Sequence, residues 1–341
     1  MIIRAKAPLR IGLAGGGTDV SPYCDIYGGC ILNACITMYA YAAIVPRNDG
    51  KIEFRCVDRN ECGVFNSEEY LEIDGRFDLL KGVYNRIVKD YTKKSLSFTL
   101  TTYVDAPAGS GLGSSSTLVV AIVKAFQEWL NLPLGDYDLA NLAWSIERED
   151  LKMAGGRQDQ YAAAFGGFNF MEFNGDKVLV NPLRIRKEYT NELELNILLY
   201  YTGTSRLSAE IIKSQAENTR NKNEQAIEAM HKIKQYSYDM KEALLTGNLH
   251  IMGNLLNDGW KYKKQMSTAI SNPVIDNIYE TALKAGASGG KISGAGGGGF
   301  FMFYCPDNTR YTVTQELLKL GGEFRRFRFT NLGAESWIVN N

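Results

Sequence analysis

The sequence predicts a protein of mixed helices and strands with room for two domains. Three observations carry that expectation. The chain has 341 residues, enough for two domains of ordinary size. Stretches that alternate apolar and polar residues, as strands do, share the chain with stretches of helical spacing. The strand-like Leu96–Val104 also runs into Asp105-Ala106-Pro107-Ala108-Gly109-Ser110-Gly111-Leu112-Gly113-Ser114-Ser115-Ser116-Thr117, a glycine loop that opens onto the apolar run Leu118–Val123.

Residues 2–14 read as extended, with a turn at Pro8, and lead into Gly15-Gly16-Gly17-Thr18-Asp19. A threonine and an aspartate on a tight glycine loop can hydrogen-bond the vicinal hydroxyls of a sugar; an Asx-turn in a hairpin is the equal alternative. Residues 30–57 predict two strands turning at Asn48-Asp49-Gly50. Leu79, Leu80, Val83, Tyr84, Ile87 and Val88 form one stripe of a helix over 77–91. From Asp136 a helix carries Leu139, Leu142, Ala143 and Ile146 and ends on Glu147-Arg148-Glu149-Asp150. Carboxylates there oppose the helix dipole, so a metal-binding carboxylate is weighed against a plain solvated face. Gly155-Gly156-Arg157-Gln158-Asp159 opens an alanine-rich helix closed by Gly166-Gly167. Asp159, in its first turn, is either a helix-start acid or a base near a substrate hydroxyl. Strands over 168–173 and 177–180 complete the first half.

The second half predicts a buried strand over 193–201, the loop Thr202-Gly203-Thr204-Ser205-Arg206, and a long helical region over 207–265. A helix over 273–285 follows, then the glycine run 294–299 with the strand Phe300–Tyr304 behind it. A helix over 308–320 and a closing pair of strands end the chain. Gly294, Gly296 and Gly299 satisfy the dinucleotide pattern, but that pattern needs a strand before it and a helix after it. Here a helix lies upstream and a strand follows, so a nicotinamide site is excluded.

Charge and cysteines narrow the function classes. Basic and acidic residues balance at 38 each, without the basic excess of a nucleic-acid binder. The six cysteines form no Cys-x-x-Cys and lie far from the two histidines, which argues against a zinc site and a disulfide framework. They read as reduced thiols of a cytoplasmic protein. The N-terminus lacks the apolar core of a signal peptide. No uncharged apolar run approaches the roughly 18 residues of a membrane helix, so no membrane partner is expected.

The loop after Leu96–Val104 reads as a phosphate cradle, because glycines let backbone N–H groups approach an anion and the helix N-terminus adds unpaired N–H groups. A tight turn with a serine cap is the alternative. The P-loop lysine is absent. Taken with Ala7–Asp19 and Lys291–Gly299, the stretch Pro107–Ser116 instead resembles the three motifs of the GHMP kinases, in order and spanning nearly the whole chain. The resemblance implies an α+β, two-domain GHMP kinase fold. Its N-terminal domain (1–185) would be ribosomal-protein-S5-like and its C-terminal domain (186–341) ferredoxin-like. It implies ATP, magnesium and transfer of a phosphoryl group to a small-molecule hydroxyl, and it allows a homodimer. By motif position, Pro107, Gly109, Ser110, Gly111, Leu112, Gly113, Ser114, Ser115 and Ser116 would hold the nucleotide phosphates. Ser115 and Glu147 would hold magnesium, with Glu149 the alternative ligand. Asp159 would be the base and Arg10 would face the transferred group. Thr18, Asp19, Gly296 and Gly297 would contact substrate, and adenine would lie within 58–85.

Galactokinases and mevalonate kinases show Gly-Glu-His where this chain has Gly15-Gly16-Gly17 before Thr18-Asp19. With Leu9-Arg10-Ile11, Asn33 and Tyr39, the motif is similar instead to the branch of heptose-phosphate kinases and fucokinase domains. That implies transfer to the anomeric hydroxyl of a sugar phosphate, with a free-standing fucokinase as the alternative. A sugar already bearing a phosphate needs a basic pocket, for which Arg206 and Arg157 are candidates. A sugar-binding regulator without turnover is the remote reading; it would lack Ser115, Glu147 or Asp159, and all three are present.

Overall fold

The structure, a computed structural model, describes residues 1–203 and 208–340. Its first sheet starts with β1 (Ile2–Ala14), followed by the short helix α1 (Tyr23–Tyr27) and the long strand β2 (Gly29–Pro46). No turn forms at Pro8. The strand runs through it, and its pairing with β2 shifts by a bulge between Pro8 and Arg10. Proline has no N–H to give to the ladder, and the bulge absorbs the missing rung. The chain turns at 47–50, where expected, from β2 into β3 (Lys51–Cys56), which pairs not with β2 but in a hairpin through 57–60 with β4 (Glu61–Asn66); α2 (Asp78–Ile87) follows. β5 (Phe98–Val104) then pairs with β2 and lies parallel to β3.

After the glycine loop come α3 (Ser114–Leu130), α4 (Asp136–Ser145), α5 (Gln158–Phe165), β6 (Phe168–Asn174) and β7 (Lys177–Pro182). β2 is long enough to serve two partners: its first half pairs with β6 and its second half with β5. Val119 to Val123, Ala125 and Phe126 of α3 are all fully buried. They fix that helix against the sheet, so the loop ahead of it sits on a rigid platform.

The expected strand over 193–201 is half helix. α6 (Lys187–Asn196) continues to Asn196, and β8 (Ile197–Tyr201) starts only there. Residues 187–196 hold glutamate and leucine but no β-branched residue except Thr190, which favours the helix. The long helical region resolves into α7 (Ser208–Arg220), α8 (Glu224–Thr246) and α9 (Met252–Met266). Asn223 caps α8 by accepting from Ala226 N–H at 3.1 Å, and Gly247 ends it in the left-handed region. α10 (Pro273–Lys284), β9 (Gly289–Ile292), β10 (Phe300–Tyr304), α11 (Arg310–Leu318), β11 (Glu323–Phe324) and β12 (Glu335–Val339) complete the chain.

The second sheet has the order β11-β8-β10-β9, antiparallel throughout. Trp260, Tyr279, Phe301 and Phe303 form the centre of its core. The closing strands do not pair with each other. β11 joins β8, whereas β12 returns to β1 and becomes the edge of the first sheet.

Candidate active site

Two glycine segments cross where the sheets meet. The run 293–299 is the connection of the β9–β10 hairpin, and it lies against the loop 109–113. A Cβ on Gly111, whose φ is +83°, would stand 2.1 Å from the Ser293 carbonyl oxygen. Phe300 N–H donates to the Ser110 carbonyl at 2.9 Å, and Arg10 N–H to the Leu112 carbonyl at 3.2 Å. The loop is thus held by β1 on one side and by the second sheet on the other.

A cavity of about 530 Å³ opens on this crossing. Gly109, Gly111, Gly113, Ser114, Ser115 and Ser116 line it, as do Arg10, Asp19, Glu147, Asp159 and Lys263. Pro107 is exposed outside the lining, and Ser110 and Leu112 are fully buried beneath it. These three shape the loop from behind.

Arg10 stands in the buried half of β1. Its Nε donates to Asp159 Oδ1 at 2.8 Å and its Nη1 to the Gly111 carbonyl at 2.6 Å and Ser293 Oγ at 3.3 Å. Nη2 lies 2.6 Å from the same Asp159 oxygen. Asp159, in the first turn of α5, is pressed against the loop; a Cβ on Gly113 would lie 3.0 Å from its Cγ. One arginine therefore binds the loop backbone and the carboxylate together.

The end of α4 widens into a π-helical turn over Ile146–Asp150. That turn carries Glu147 inward to 1% exposure, while Glu149 stays exposed. Glu147 accepts from Ser116 Oγ at 3.0 Å and from Gln160 Nε2. Burial pushes its carboxyl above the usual range. Ser116 is thus engaged by the glutamate and Ser114 Oγ donates to the Pro107 carbonyl at 3.5 Å, which leaves the half-buried Ser115 to face the cavity. The donors here are hydroxyl and carboxylate oxygens. Among the described residues no group of three or more carboxylates, histidines or cysteines comes together to cage an ion. Magnesium fits such a set, since it takes one or two protein oxygens and completes its shell with phosphate and water.

Asp19 is 3% exposed and caps α5, its Oδ2 accepting from the N–H groups of Arg157 at 3.0 Å and Gln158 at 3.1 Å. A Cβ on Gly156 would stand 1.9 Å from that oxygen, so only glycine lets the cap form. Oδ1 is buried with no partner among the described residues. Burial raises this carboxyl as well. Thr18 does not reach the cavity. It is fully buried, and its hydroxyl donates to the Gly15 and Cys30 carbonyls while accepting from Cys30 N–H. It fastens the glycine turn to β2. Gly296 and Gly297 are likewise structural: Gly296 packs on Ile270, and Gly297 N–H donates to the Ile270 carbonyl at 2.9 Å. Gly294 and Ala295 line the cavity in their place. Arg206 lies outside the described residues. Arg157 stacks over the Trp144 ring at 4.2 Å and meets Asp176 at 3.3 Å.

Sequence reasoning gave no role to two buried lysines. Lys263 on α9 and Lys291 at the end of β9 are 3% and 7% exposed. Lys263 donates to the Gly294 carbonyl. Burial and the Arg10 charge lower its ammonium to about 8, against the pull of Asp19. Lys291 is lowered well below its ordinary value by burial, Lys263 and Arg10. Lys291 opens the motif Lys291–Gly299 but drew no role from it, and a single lysine in a helix carries no spacing signal that would mark Lys263.

A glycine cradle, a cavity-facing serine, a buried glutamate and an arginine-held aspartate are the parts of a phosphoryl-transfer site, and the fold and site define a small-molecule kinase. Residues 78–167 match the model of the GHMP kinases N terminal domain, and residues 240–321 match that of the GHMP kinases C terminal. The chain belongs to the GHMP kinase family and is an ATP-dependent kinase. It is 50% identical, over 99% of both chains, to D-glycero-alpha-D-manno-heptose 7-phosphate kinase of Campylobacter jejuni. The crystal structure of a D-glycero-D-manno-heptose 1-phosphate kinase from Bacteriodes thetaiotaomicron superposes with a TM-score of 0.86 at 48% identity, covering 99% of this chain and 100% of that one. A bifunctional fucokinase/GDP-fucose pyrophosphorylase of Arabidopsis thaliana is 25% identical over 94% of this chain but only 31% of its own length. Among the described residues no helix is long and apolar enough to cross a membrane.

Proposed function

We propose that this chain transfers the γ-phosphoryl group of ATP to the anomeric hydroxyl of D-glycero-D-manno-heptose 7-phosphate. The observation that carries the reading is the seat of Asp159, held by Arg10 against the glycine loop, in a chain half identical throughout to a heptose 7-phosphate kinase. The loop amides and Arg10 bind phosphate oxygens and offset their charge. Asp159 orients the acceptor hydroxyl and takes its proton, while Asp19 Oδ1 accepts from another sugar hydroxyl. Ser115 and Glu147 would hold magnesium, which would supply positive charge to offset that of the phosphates.

Adenine fits a neighbouring cavity of about 570 Å³, lined by Tyr70, Ile73, Arg86, Val88 and Leu151, which shares Leu151 with the first. The same reading places the enzyme in the cytoplasm and takes the chain as two domains dividing near residue 185. The test is an ADP-release assay with ATP, magnesium and a sugar panel: heptose 7-phosphate, heptose 1-phosphate, L-fucose, galactose and mevalonate. The two heptose phosphates separate the names of the two similar kinases. Turnover confined to the 7-phosphate is expected; turnover on L-fucose and not on heptose phosphate overturns the reading.

A further inference from the structure

The mechanism uses one wall of the cavity, and the opposite wall has chemistry of its own. There α7 and α9 face the glycine turn 15–17. Gln215 of α7 is 3% exposed, lines the cavity, and leaves its Nε2 buried with no partner among the described residues. A buried amide N–H without an acceptor costs free energy unless a ligand supplies one. Lys263 of α9 is equally buried, and among the described residues its one hydrogen bond is to a backbone carbonyl. Lys213, two residues before Gln215 on α7 and exposed, lines the same cavity and makes no ion pair among the described residues.

The glycine turn supplies the space. A Cβ on Gly17 would lie 3.3 Å from Gln215 Oε1 and 2.7 Å from Met266 Cε, and one on Gly16 would lie 3.5 Å from Lys263 Nζ. No side chain from the turn therefore fills the gap, and none brings a carboxylate to the lysine. The carboxylates within reach are already engaged, Asp19 with the N-terminus of α5 and Asp159 with Arg10. At Lys213 this wall runs away from the glycine loop, toward the sugar end of the cavity. Asp19, Ile212 and Lys213 together line a second, adjoining cavity that the glycine loop does not touch.

We propose that Gln215, Lys263 and Lys213 bind the phosphate that the sugar already carries, and that this subsite makes the enzyme prefer a sugar phosphate to a free sugar. Two ammonium groups and an amide N–H offer only donors, which suits a phosphate dianion. The acceptor atom Asp19 Oδ1 beside them suits a hydroxyl instead. The lowered affinity of Lys263 for its proton is what a buried cation awaiting its anion shows.

The inference rests on the proposed function, and the test separates the two. Initial rates are measured with D-glycero-D-manno-heptose 7-phosphate and with the unphosphorylated heptose, for the wild type, Lys263→Met and Gln215→Leu. Wild type should prefer the 7-phosphate. Lys263→Met should lower that preference, as the ratio of the two kcat/KM values, by on the order of ten- to a hundredfold, and Gln215→Leu by a few-fold. The KM for ATP should stay within about twofold in both. Thermal melting confirms that each variant is folded. If both variants lose activity equally on the two sugars, or if the ATP KM moves with them, Lys263 serves the transferred group and the subsite is overturned while the function stands. If the wild type leaves heptose 7-phosphate untouched, the function itself fails and this inference with it.

Discussion

Arg10 and Asp159 are 149 residues apart in sequence, and their charged atoms come within 2.6 Å. At that position Asp159→Asn keeps the shape and gives up the charge and the basicity. Turnover should fall by on the order of 10²- to 10⁴-fold with ATP binding retained by calorimetry; turnover near the wild-type rate would remove Asp159 from the base role. Lys263 gives a pH signature. Its folded pKa of about 8 lies below the ordinary 10.5, so keeping it charged in the fold costs stability. That cost is complete below about pH 8 and fades as pH rises toward 10.5. Lys263→Met should therefore raise the Tm of the ligand-free protein by a few degrees at pH 7, with the gain shrinking toward pH 10. An unchanged or lowered Tm at pH 7 would show that the lysine is balanced within the fold. Arg10, Asp19, Glu147 and Asp159 were legible because each stands in a patterned stretch. Thr18 was misread because sequence does not reveal that its hydroxyl is already taken by Gly15 and Cys30. Gln215 and Lys263 were invisible because their meaning comes only from what α7 and α9 face.

The elements that hold the site are the two glycine segments, and their crossing is what the patterns 109–113 and 294–299 encode. Gly111→Ala would drive a Cβ into the Ser293 carbonyl at 2.1 Å in a left-handed conformation. It should destabilise the protein by about 1–3 kcal/mol, measured by urea unfolding, and weaken ATP binding in the same variant. A variant with wild-type stability and ATP affinity would mean that the loop can move away from the hairpin. Strand–loop–helix units with strong local signals, such as β5 to α3, were readable. The start of β8 was not, because Leu193 is buried in a helix as fully as it would be in a strand, and burial alone does not separate the two. The bulge at Pro8 was read as a turn because proline marks a lost rung without saying whether the strand resumes.

At the scale of the molecule the chain closes on itself. β12 pairs with β1 from Ile2↔Val339 to Lys6↔Glu335, so the last strand completes the sheet that carries Arg10. No local pattern in 335–339 names its partner, which is why the closing strands were expected to pair with each other. Truncation after Ala334 should lower the Tm and promote association, since the edge of β1 would be left open; a truncated protein that melts like the full chain and stays monodisperse would show that β12 contributes little. The activity of the whole enzyme is defined by where the new phosphate goes. The most direct measurement is phosphorus NMR of the product formed from heptose 7-phosphate and ATP. A second phosphate bonded to the anomeric carbon, with the 7-phosphate retained, is the result expected. A new phosphate on any other hydroxyl, or ADP formed with the sugar unchanged, would contradict it.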